Sequence, residues 1–526
     1  MLRRNNRKCL ACISVFLVSL LMITLFLSET NVKASVFGSK NYYLYLEKNN
    51  LKDLKKKYKD YYIENYLSER SYECKASAKL DGDLMKYDEE MKMISDYLSK
   101  FELNCKYNVN YKDLKDSYFT LFLGAKYDNK DFADLDIKSA GNKEIITFPS
   151  LIDKAIGIDN SSTYEISTNL INAFLYDDKA FEEIFGLSRK AYDNMIERYL
   201  KDVIFGQIPD SKVVLNRTDK FEGINCNSIT FNIDEEIIAN ICKALAKELE
   251  KDKDIRTICK SVNNLYMDIL KLQELEIDLG SATLDEIDEG IQNICFLLYY
   301  AAENIEDVQI EYTAYFKDNG DILSRQFIEK ESEVGITLSS FKDLLGNDMF
   351  NFNVKESEDS IFEIRNKMKL HNGLYNGECE VDISGKNLIK ADYTYEKDAK
   401  VGGLDAFVGS IQGKVKLAQF KDDLETTDIN DIYFSIKNMR KDNNTLQGQY
   451  AFTTSFDGKR MGITVFTEVK QSNIANISKP IISLDNAIML DDITALSEFA
   501  NEMGERIQEK IIGLLLSGSS EEEYLN

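Results

Sequence analysis

The sequence predicts an α+β protein in which an N-terminal transmembrane helix or signal peptide precedes two antiparallel β-meander sheets covered by helices. Three observations predict this class. A long uncharged segment follows a cluster of basic residues at the start of the chain. Two long regions alternate apolar and polar residues, as antiparallel strands with one buried face do. Elsewhere the apolar residues recur with the period of a helix, so helices are expected to cover the sheets.

The first element is the uncharged segment, residues 9–27, which follows Arg3, Arg4, Arg7 and Lys8. As a helix it would rise about 28 Å, close to the roughly 30 Å of a bilayer core. Because basic flanks stay in the cytoplasm, the rest of the chain is expected on the other side. We therefore predict a single-pass protein of the cell membrane with a cytoplasmic N-terminus and an extracytoplasmic body.

Cleavage of this segment is the alternative to a retained anchor. Val32-Lys33-Ala34 has small residues where a signal peptidase reads the chain, which predicts cleavage after Ala34 and secretion. The uncharged segment is longer than a usual signal core, which favours the anchor. Residues 1–34 are therefore predicted to be a signal anchor or a signal peptide.

The composition excludes nucleic acid as a partner and gives no sign of a disulfide framework or a metal site. The net charge is −24, so a nucleic acid, itself a polyanion, is not expected to bind. The cysteines after residue 34 are odd in number and widely spaced, which fits neither a disulfide framework nor a zinc site. No cofactor is expected. These cysteines are Cys74, Cys105, Cys226, Cys242, Cys259, Cys295 and Cys379.

The first alternating region runs from residue 71 to Phe148. Every second side chain is apolar in residues 71–80 and 101–112, and residues 119–127 with two more short strands continue the meander. Cys74 and Cys105 both fall on the apolar side. If their strands are neighbours, the two thiols can form a disulfide. Pro149 is expected to end this run of strands.

The middle of the chain is predicted to be helical. Helices are expected in residues 161–206 and 234–305, with a strand pair at 211–233 between them. Ser188 and Asp234 each precede apolar residues at helical spacing, so each side chain can cap a first turn. Thr283 with Glu286 forms a capping box for a further helix.

The second alternating region begins at Val308 and continues almost to the end. Three Asn-Gly pairs predict hairpin turns, because both residues tolerate a positive φ. These pairs are Asn319-Gly320, Asn372-Gly373 and Asn376-Gly377.

One strand of this region, in residues 407–417, carries glycines among large apolar residues on one side. The glycines indicate a curved sheet, or something packed close above it. This side is the candidate hydrophobic groove, and it consists of Phe407, Gly409, Ile411, Gly413 and Val415.

A final helix is predicted near residues 490–516. Its apolar stripe is expected to pack on the sheet. The stripe consists of Ile493, Leu496, Ala500, Met503, Ile507, Ile511 and Leu514.

The two alternating regions share an order of meander, proline, apolar link and helix, with Pro149 and Pro480 at matching places. This order suggests a duplication, and chance similarity is the alternative. The predicted domains are a signal anchor or signal peptide at 1–34, a first α+β meander unit at 35–233, a helical connector at 234–306, a second β-meander unit with the C-terminal helix at 307–518, and an acidic tail at 519–526.

The sequence contains no recognisable catalytic motif. His371, the single histidine, stands before a turn without a visible partner for acid–base chemistry. The nucleophile elbow, the metallopeptidase motif and the nucleotide-binding glycine motifs are absent. The aspartates at 128, 131, 134 and 136 lack the glycine and spacing of a calcium loop, so a solvated turn is expected. No catalytic, cofactor-binding or metal-ligating residue is assigned.

Several segments carry a resemblance to a known family. They are ITFPSLIDKAIGIDN, which closes the first meander, NCNSITFNIDEEIIANICKAL, which joins a strand to a helix, and ISKPIISLDNAIML before the acidic terminal helix. With the basic N-terminus, this order resembles an uncharacterised family of membrane-anchored or exported proteins of clostridia and related Firmicutes. More distantly, the helix-covered meanders look like the half-barrels of lipoprotein-carrier-like proteins, which hold acyl chains on a concave face.

Three functions are compatible with these patterns. The first is a membrane-tethered, extracytoplasmic, non-enzymatic protein with a binding or structural role, for which a protein is one candidate partner. The second is a carrier or sensor of a lipid or another hydrophobic ligand, held in the candidate groove. A carboxylate-dependent hydrolase is the least favoured, because nothing singles out a carboxylate pair.

Overall fold

The computed structural model describes residues 38–65, 67–83, 88–113, 116–160, 178–272, 284–357, 359–420, 430–456, 459–475 and 478–519. The predicted anchor at 9–27, the cleavage site at Ala34, the capping residue Thr283 and residues 520–526 of the acidic tail lie outside these ranges. The α-helices are α1 (Gly38–Asn65), α2 (Glu89–Ser99), α3 (Asp178–Phe185), α4 (Arg189–Arg198), α5 (Glu235–Lys251), α6 (Lys253–Leu272), α7 (Leu284–Asn304) and α8 (Ile493–Ser519).

The strands fall into two stretches of the chain. The first holds β1 (Glu69–Gly82), β2 (Phe101–Asn110), β3 (Tyr118–Tyr127), β4 (Lys130–Ala140), β5 (Lys143–Phe148), β6 (Ile152–Asp159), β7 (Val213–Phe221) and β8 (Ile224–Asp234). The second begins with β9 (Gln309–Phe316), β10 (Ile322–Glu329), β11 (Val334–Lys342), β12 (Asp348–Glu356), β13 (Asp359–His371), β14 (Leu374–Ile383) and β15 (Lys386–Glu396). It ends with β16 (Lys400–Val401), β17 (Leu404–Asp405), β18 (Gly409–Val415), β19 (Ile432–Arg440), β20 (Thr445–Phe456), β21 (Lys459–Ser472) and β22 (Ile488–Met489).

The predicted α+β class with mostly antiparallel strands is confirmed. Two predicted helix caps are confirmed as well. The Ser188 side chain accepts a hydrogen bond from the backbone N–H of Ala191, and the Asp234 side chain accepts one from Ile237. Side-chain acceptors at these positions satisfy N–H groups that the first helical turn leaves without partners.

Two predicted chain breaks are wrong. Pro149 does not end the strands, because it lies in a turn in which the N–H of Leu151 donates to the carbonyl of Phe148, and β6 follows. Asn376-Gly377 forms no turn either, since both residues lie inside β14. Asn376 instead accepts a hydrogen bond from the Thr394 hydroxyl at 2.9 Å. Asn372-Gly373 does form the predicted turn, with φ of 49° and 79°.

Contacts group the chain into two compact units. Unit 1 takes in the described residues up to Asp60 and those within 166–369 and 377–388. Unit 2 takes in those within 61–165, 370–376 and 389–526. These bounds cross those of the predicted domains, because β1, from the first predicted meander unit, pairs with β21 from the second.

The sheet of unit 1 is an antiparallel meander in which each strand from β7 to β13 pairs with the next one. The first half of α1 packs on one face of this sheet and inserts apolar side chains between β8, β9 and the segment after α4. Burial of this apolar surface is the main favourable contribution to the stability of such a core. The fully buried members include Leu46, Ile229, Phe231, Ala314 and Phe316.

The sheet of unit 2 joins two distant stretches of the chain. Its strand order is β15, β18, β19, β20, β21, β1, β2, β3, β4, β5, β6 and β22. The pairing of β1 with β21 runs from Ser71 opposite Ser472 to Gly82 opposite Met461. β1 is therefore the strand through which the N-terminal and C-terminal meanders share one sheet.

The terminal helix α8 packs its apolar side chains on unit 2 around Phe499, and Lys510 in its second half donates to the carbonyl of Phe132 at 2.7 Å. Phe499 is buried, and its ring centroid lies 5.8 Å from that of Phe148. Farther along, Ile507 and Ile511 of the predicted stripe are exposed, as are Ile493 and Ala500. The prediction that the whole stripe packs on the sheet is wrong, because the packed face of the helix is centred on Phe499. The side chain of Leu514, the last residue of the stripe, is not among those that the structure describes.

Among the helices of the described residues, none combines the length and the apolar composition that a membrane crossing requires.

Candidate functional site

The candidate hydrophobic groove lies mainly on β18. Gly409, Ile411, Gly413 and Val415 belong to this strand, and Phe407 lies two residues before it. The register sets Ile411 opposite Ile436 of β19 and Tyr393 of β15. Since paired residues point to the same face of a sheet, these side chains lie on one apolar face.

The glycines of this strand do not leave open space above them. A Cβ placed on Gly413 would lie 2.6 Å from Cζ of Phe434 and 2.9 Å from Cβ of Ala391. A Cβ on Gly409 would collide with the backbone of Thr394 and Tyr395. The candidate hydrophobic groove is therefore not open at Gly409 and Gly413, because neighbouring strands fill the space with a ring and with backbone.

The same apolar face continues across unit 2 beyond β18. We call it the apolar face, and it includes Ala76 of β1, Leu103 of β2, Leu123 of β3, Phe452 of β20 and Val469 of β21. Leu103 is 56% exposed, and Leu123 and Phe452 are exposed as well. The neighbouring Ala76 and Val469 are half-buried. Large apolar side chains thus remain open to solvent on a face that alternation alone would predict to be buried.

Cys74 and Cys105 lie on the apolar face and are directly opposite each other in the pairing of β1 with β2. Both are half-buried free thiols. Burial raises the pKa of both, and the neighbouring Cys105 raises that of Cys74 further. At neutral pH the protonated thiol is therefore the dominant form of each.

The opposite face of this sheet carries a groove of about 350 Å³ across five strands. Two adjacent cross-strand rows form its floor, and we call it the polar groove. The first row is Lys437, Gln449, Phe466, Ser77 and Glu102. The second row is Met439, Gln447, Glu468, Lys75 and Asn104.

The polar groove combines apolar anchors with donors and acceptors of both charges. Phe466 and Met439 are 43% and 49% exposed. Glu468 accepts from Lys441 Nζ at 2.7 Å and from Gln447 Nε2 at 3.3 Å. These hydrogen bonds, that of Lys441 first, lower the pKa of the Glu468 carboxyl. Glu468 is therefore a fixed anion in the physiological pH range, with the amide of Gln447 oriented beside it.

Unit 1 holds a different polar cluster, which is closed. Glu47 of α1 is fully buried, and Arg325 of β10 contacts both of its carboxylate oxygens, with Nε 2.9 Å from Oε1 and Nη2 2.7 Å from Oε2. The Tyr43 hydroxyl lies 3.0 Å from Oε1 of Glu47 and 2.9 Å from the Tyr312 hydroxyl. Burial, and then the charge of Glu47, raises the pKa of both tyrosines. The cluster fixes α1 on the sheet, with the Glu47 carboxylate fully buried and Arg325 only partly exposed.

The other candidate residues are dispersed. His371 is exposed at the end of β13, with Nε2 3.1 Å from Nδ2 of Asn372. Asp134 accepts from the backbone N–H of Ser150 at 2.7 Å, and Asp136 pairs with Lys138 at 2.7 Å. Within the part of the chain that the structure describes, His, Cys, Asp and Glu side chains form no group of three or more arranged to hold a metal ion.

Sequence reasoning missed the polar groove. Its residues are the polar half of the alternating pattern, from which the sequence predicts no site. The sequence signal is the placement of Phe466 and Met439 at polar positions of their strands, and this signal is weak because single exposed apolar residues are common on protein surfaces.

Comparison with known proteins adds little. No family model and no curated protein matches the chain. A solved structure to which it is similar is OccK5 (OpdH) of Pseudomonas aeruginosa, with 7% identity and a TM-score of 0.14. The similarity covers 77% of this chain and 98% of that one. A TM-score of this size carries no argument about fold or function.

Proposed function

We propose that the protein is a membrane-tethered, extracytoplasmic binding protein without catalytic activity, and that it binds a protein partner through the polar groove of unit 2. The observation that carries this proposal is the composition of the groove. Exposed Phe466 and Met439 lie on its floor, between amides and charged groups. Aromatic residues and methionine are enriched in the centre of protein interfaces, and charged residues at their rims.

The shape and hydrogen-bonding capacity of the groove fit an extended segment of a partner. Gln447 and Gln449 lie two residues apart on β20, so both amides point to the groove. An amide can donate to a peptide carbonyl and accept from a peptide N–H. Lys75 and Lys437 with Glu102 and Glu468 add both signs of charge around them, which favours a partner segment of mixed charge.

Selection of phage-displayed peptides on the full chain tests this proposal. We expect enriched peptides to bind with micromolar affinity and to lose at least about tenfold with the Phe466→Ser variant. The matched control is Tyr61→Ser, which replaces an exposed aromatic residue elsewhere in unit 2 and should leave the affinity unchanged. Peptides that bind wild type and Phe466→Ser equally well would refute the assignment of the groove.

The tether is supported by the sequence alone, through the basic residues before the uncharged segment at 9–27. Protease treatment of intact cells tests it. We expect the body of the chain to be degraded while a marker of the cytoplasm survives. Protection of the body until the membrane is broken would refute the extracytoplasmic location.

A second candidate function is that of a carrier or sensor of a hydrophobic ligand on the apolar face. The exposed side chains of Leu103 and Leu123, on the neighbouring strands β2 and β3, and of Phe452 on the same face favour it, because exposed apolar surface marks binding sites. Native mass spectrometry of the purified chain tests it by detecting lipid that co-purifies. A Leu103→Glu variant should lose this lipid, whereas a chain that carries none and binds none on titration would exclude the carrier.

The finer architecture, two curved meanders that arose by duplication, is also part of our proposal. Its support is that a strand follows each proline, β6 after Pro149 and β22 after Pro480. A superposition in which the strands of the two meanders do not match one by one would contradict it.

A further inference from the structure

We propose that Cys74 and Cys105 are the site of an oxidative modification, a disulfide that staples β1 to β2 when the chain meets a small-molecule disulfide. The observation behind this proposal is the register. Glu73 pairs with Lys106, Cys74 with Cys105, and Lys75 with Asn104. The two cysteines are therefore directly opposite each other on adjacent antiparallel strands.

The geometry of such a pair suits a disulfide. Opposite residues of antiparallel strands have Cα atoms about 4.5–5.5 Å apart. Disulfides span Cα separations of about 4.4–6.8 Å. Both side chains also point to the same face, since paired residues share a face of the sheet. Rotation about the side-chain bonds, with a small approach of the two strands, would bring the sulfur atoms together.

The surroundings of the pair allow an oxidant to reach it. Both cysteines are half-buried, and on the same face Leu103 and Leu123 beside Cys105 are exposed. The nearest partners of Cys74 and Cys105 along the row are Val469 and Leu123, which cannot compete for a thiol. By contrast, Cys295 is buried and its thiol donates to the carbonyl of Ala246 at 3.4 Å.

The reaction is a thiol–disulfide exchange. One thiol loses its proton and attacks the small-molecule disulfide, whose sulfur–sulfur bond breaks and releases one thiol. The second cysteine then attacks the mixed disulfide and releases the second thiol. Overall the two cysteines lose two protons and two electrons, and the small-molecule disulfide takes them up as two thiols.

The bond would close the loop that contains α2 and would fix the strand on which both meanders depend. β1 pairs with β2 on one side and with β21 on the other. A covalent link between β1 and β2 restricts the unfolded chain more than the folded one, and this stabilises the folded state. The disulfide would therefore hold β1, the strand that joins the two meanders of the unit 2 sheet.

The first experiment exposes the full chain in detergent to oxidised glutathione, alkylates the remaining thiols and identifies linked peptides by mass spectrometry. We expect a peptide pair joined through residues 74 and 105, absent from the Cys105→Ser variant. A matched control is Cys105→Ser with Asn104→Cys, which places the new thiol on the opposite face, across from Lys75. This control should give no link, because the two thiols then lie on different faces.

Two results would overturn the proposal. One is recovery of both cysteines in alkylated form after an oxidant treatment that links them in the urea-unfolded chain. The other is a link from Cys74 to a different cysteine. Thermal unfolding gives a second readout, in which reduction of the oxidised chain should lower the Tm of unit 2 by about 5 °C or more. An unchanged Tm with the bond present would refute its stabilising role.

Discussion

The two units use the same alternating pattern and differ in what covers the apolar side of the sheet. In unit 1 the first half of α1 lies on β8 and β9, and Phe231 and Phe316 are fully buried beneath it. In unit 2 the apolar face keeps Leu103 and Phe452 exposed, and α2 reaches this sheet near the end of β1, where Ser95 contacts the carbonyl of Leu80. The alternating pattern makes a face apolar, and only a covering element makes it a core.

The largest expected effect compares an aromatic residue of each unit. Phe316→Ala in the core of unit 1 should lower the free energy of unfolding by about 3–5 kcal/mol, since it removes a fully buried ring and leaves a cavity. Phe466→Ala in the polar groove should change it by less than about 0.5 kcal/mol, because that ring is already in contact with water. Urea unfolding followed by circular dichroism measures both. Similar losses for the two variants would contradict the contrast between a sealed core and an open face.

The next effect concerns the buried ion pair of unit 1. Arg325→Met leaves the carboxylate of Glu47, which is 0% exposed, without its cation, and should cost about 3 kcal/mol. Adding Glu47→Leu should restore most of this loss, because replacing a buried pair by apolar residues is often neutral. An exposed pair gives the control, and Arg506→Ala should cost less than about 1 kcal/mol. A double variant as unstable as Arg325→Met alone would contradict this account.

Local signals in the sequence predicted much of the fold. Alternation located the strands β1, β2 and β3, and the side chains of Ser188 and Asp234 marked helix starts that the structure contains. These features depend on neighbours within a few residues. They could be predicted because the spacing of side chains on a helix or strand is fixed by backbone geometry.

Long-range pairing could not be predicted in the same way. Nothing in residues 71–80 indicates that β1 pairs with β21, nearly four hundred residues away in the chain, rather than only with β2. The alternating pattern says which side chains share a face and not which strand lies beside them. The polar groove depends on that pairing, since Lys75 and Glu468 meet only through it. The site therefore needed the structure.

Gly402 tests the comparison between the two units further, because the chain around this residue of unit 2 is tightly packed. Gly402, between β16 and β17, has φ of 56°, and a Cβ there would collide with the carbonyl of Gln471. Gly402→Ala should therefore cost about 2 kcal/mol or more through strain and overlap. Gly346 of unit 1 has φ of 79° and open space around it, so Gly346→Ala should cost about 1 kcal/mol. Equal losses at the two glycines would show that close packing at Gly402 does not matter.

The smallest expected effect concerns Asp234, the predicted cap of α5 in unit 1. Asp234→Ala should cost about 1 kcal/mol, because it removes the acceptor for the N–H of Ile237. Asp234→Asn keeps a capping acceptor and loses only the ion pair with Lys212, so it should cost a few tenths of a kcal/mol.

The contribution of this ion pair should depend on pH. The hydrogen bond from Lys212, followed by that from Ile237, lowers the pKa of Asp234 against the opposing effect of burial. A lowered folded-state pKa stabilises the protein above the unfolded-state pKa, near 4, and this contribution disappears as the pH falls through the folded-state value. The stability difference between wild type and Asp234→Asn, followed by urea unfolding at successive pH values, should therefore narrow below about pH 4. A difference that stays constant down to pH 2 would mean that the charge on Asp234 contributes nothing, and that the cap acts through geometry alone.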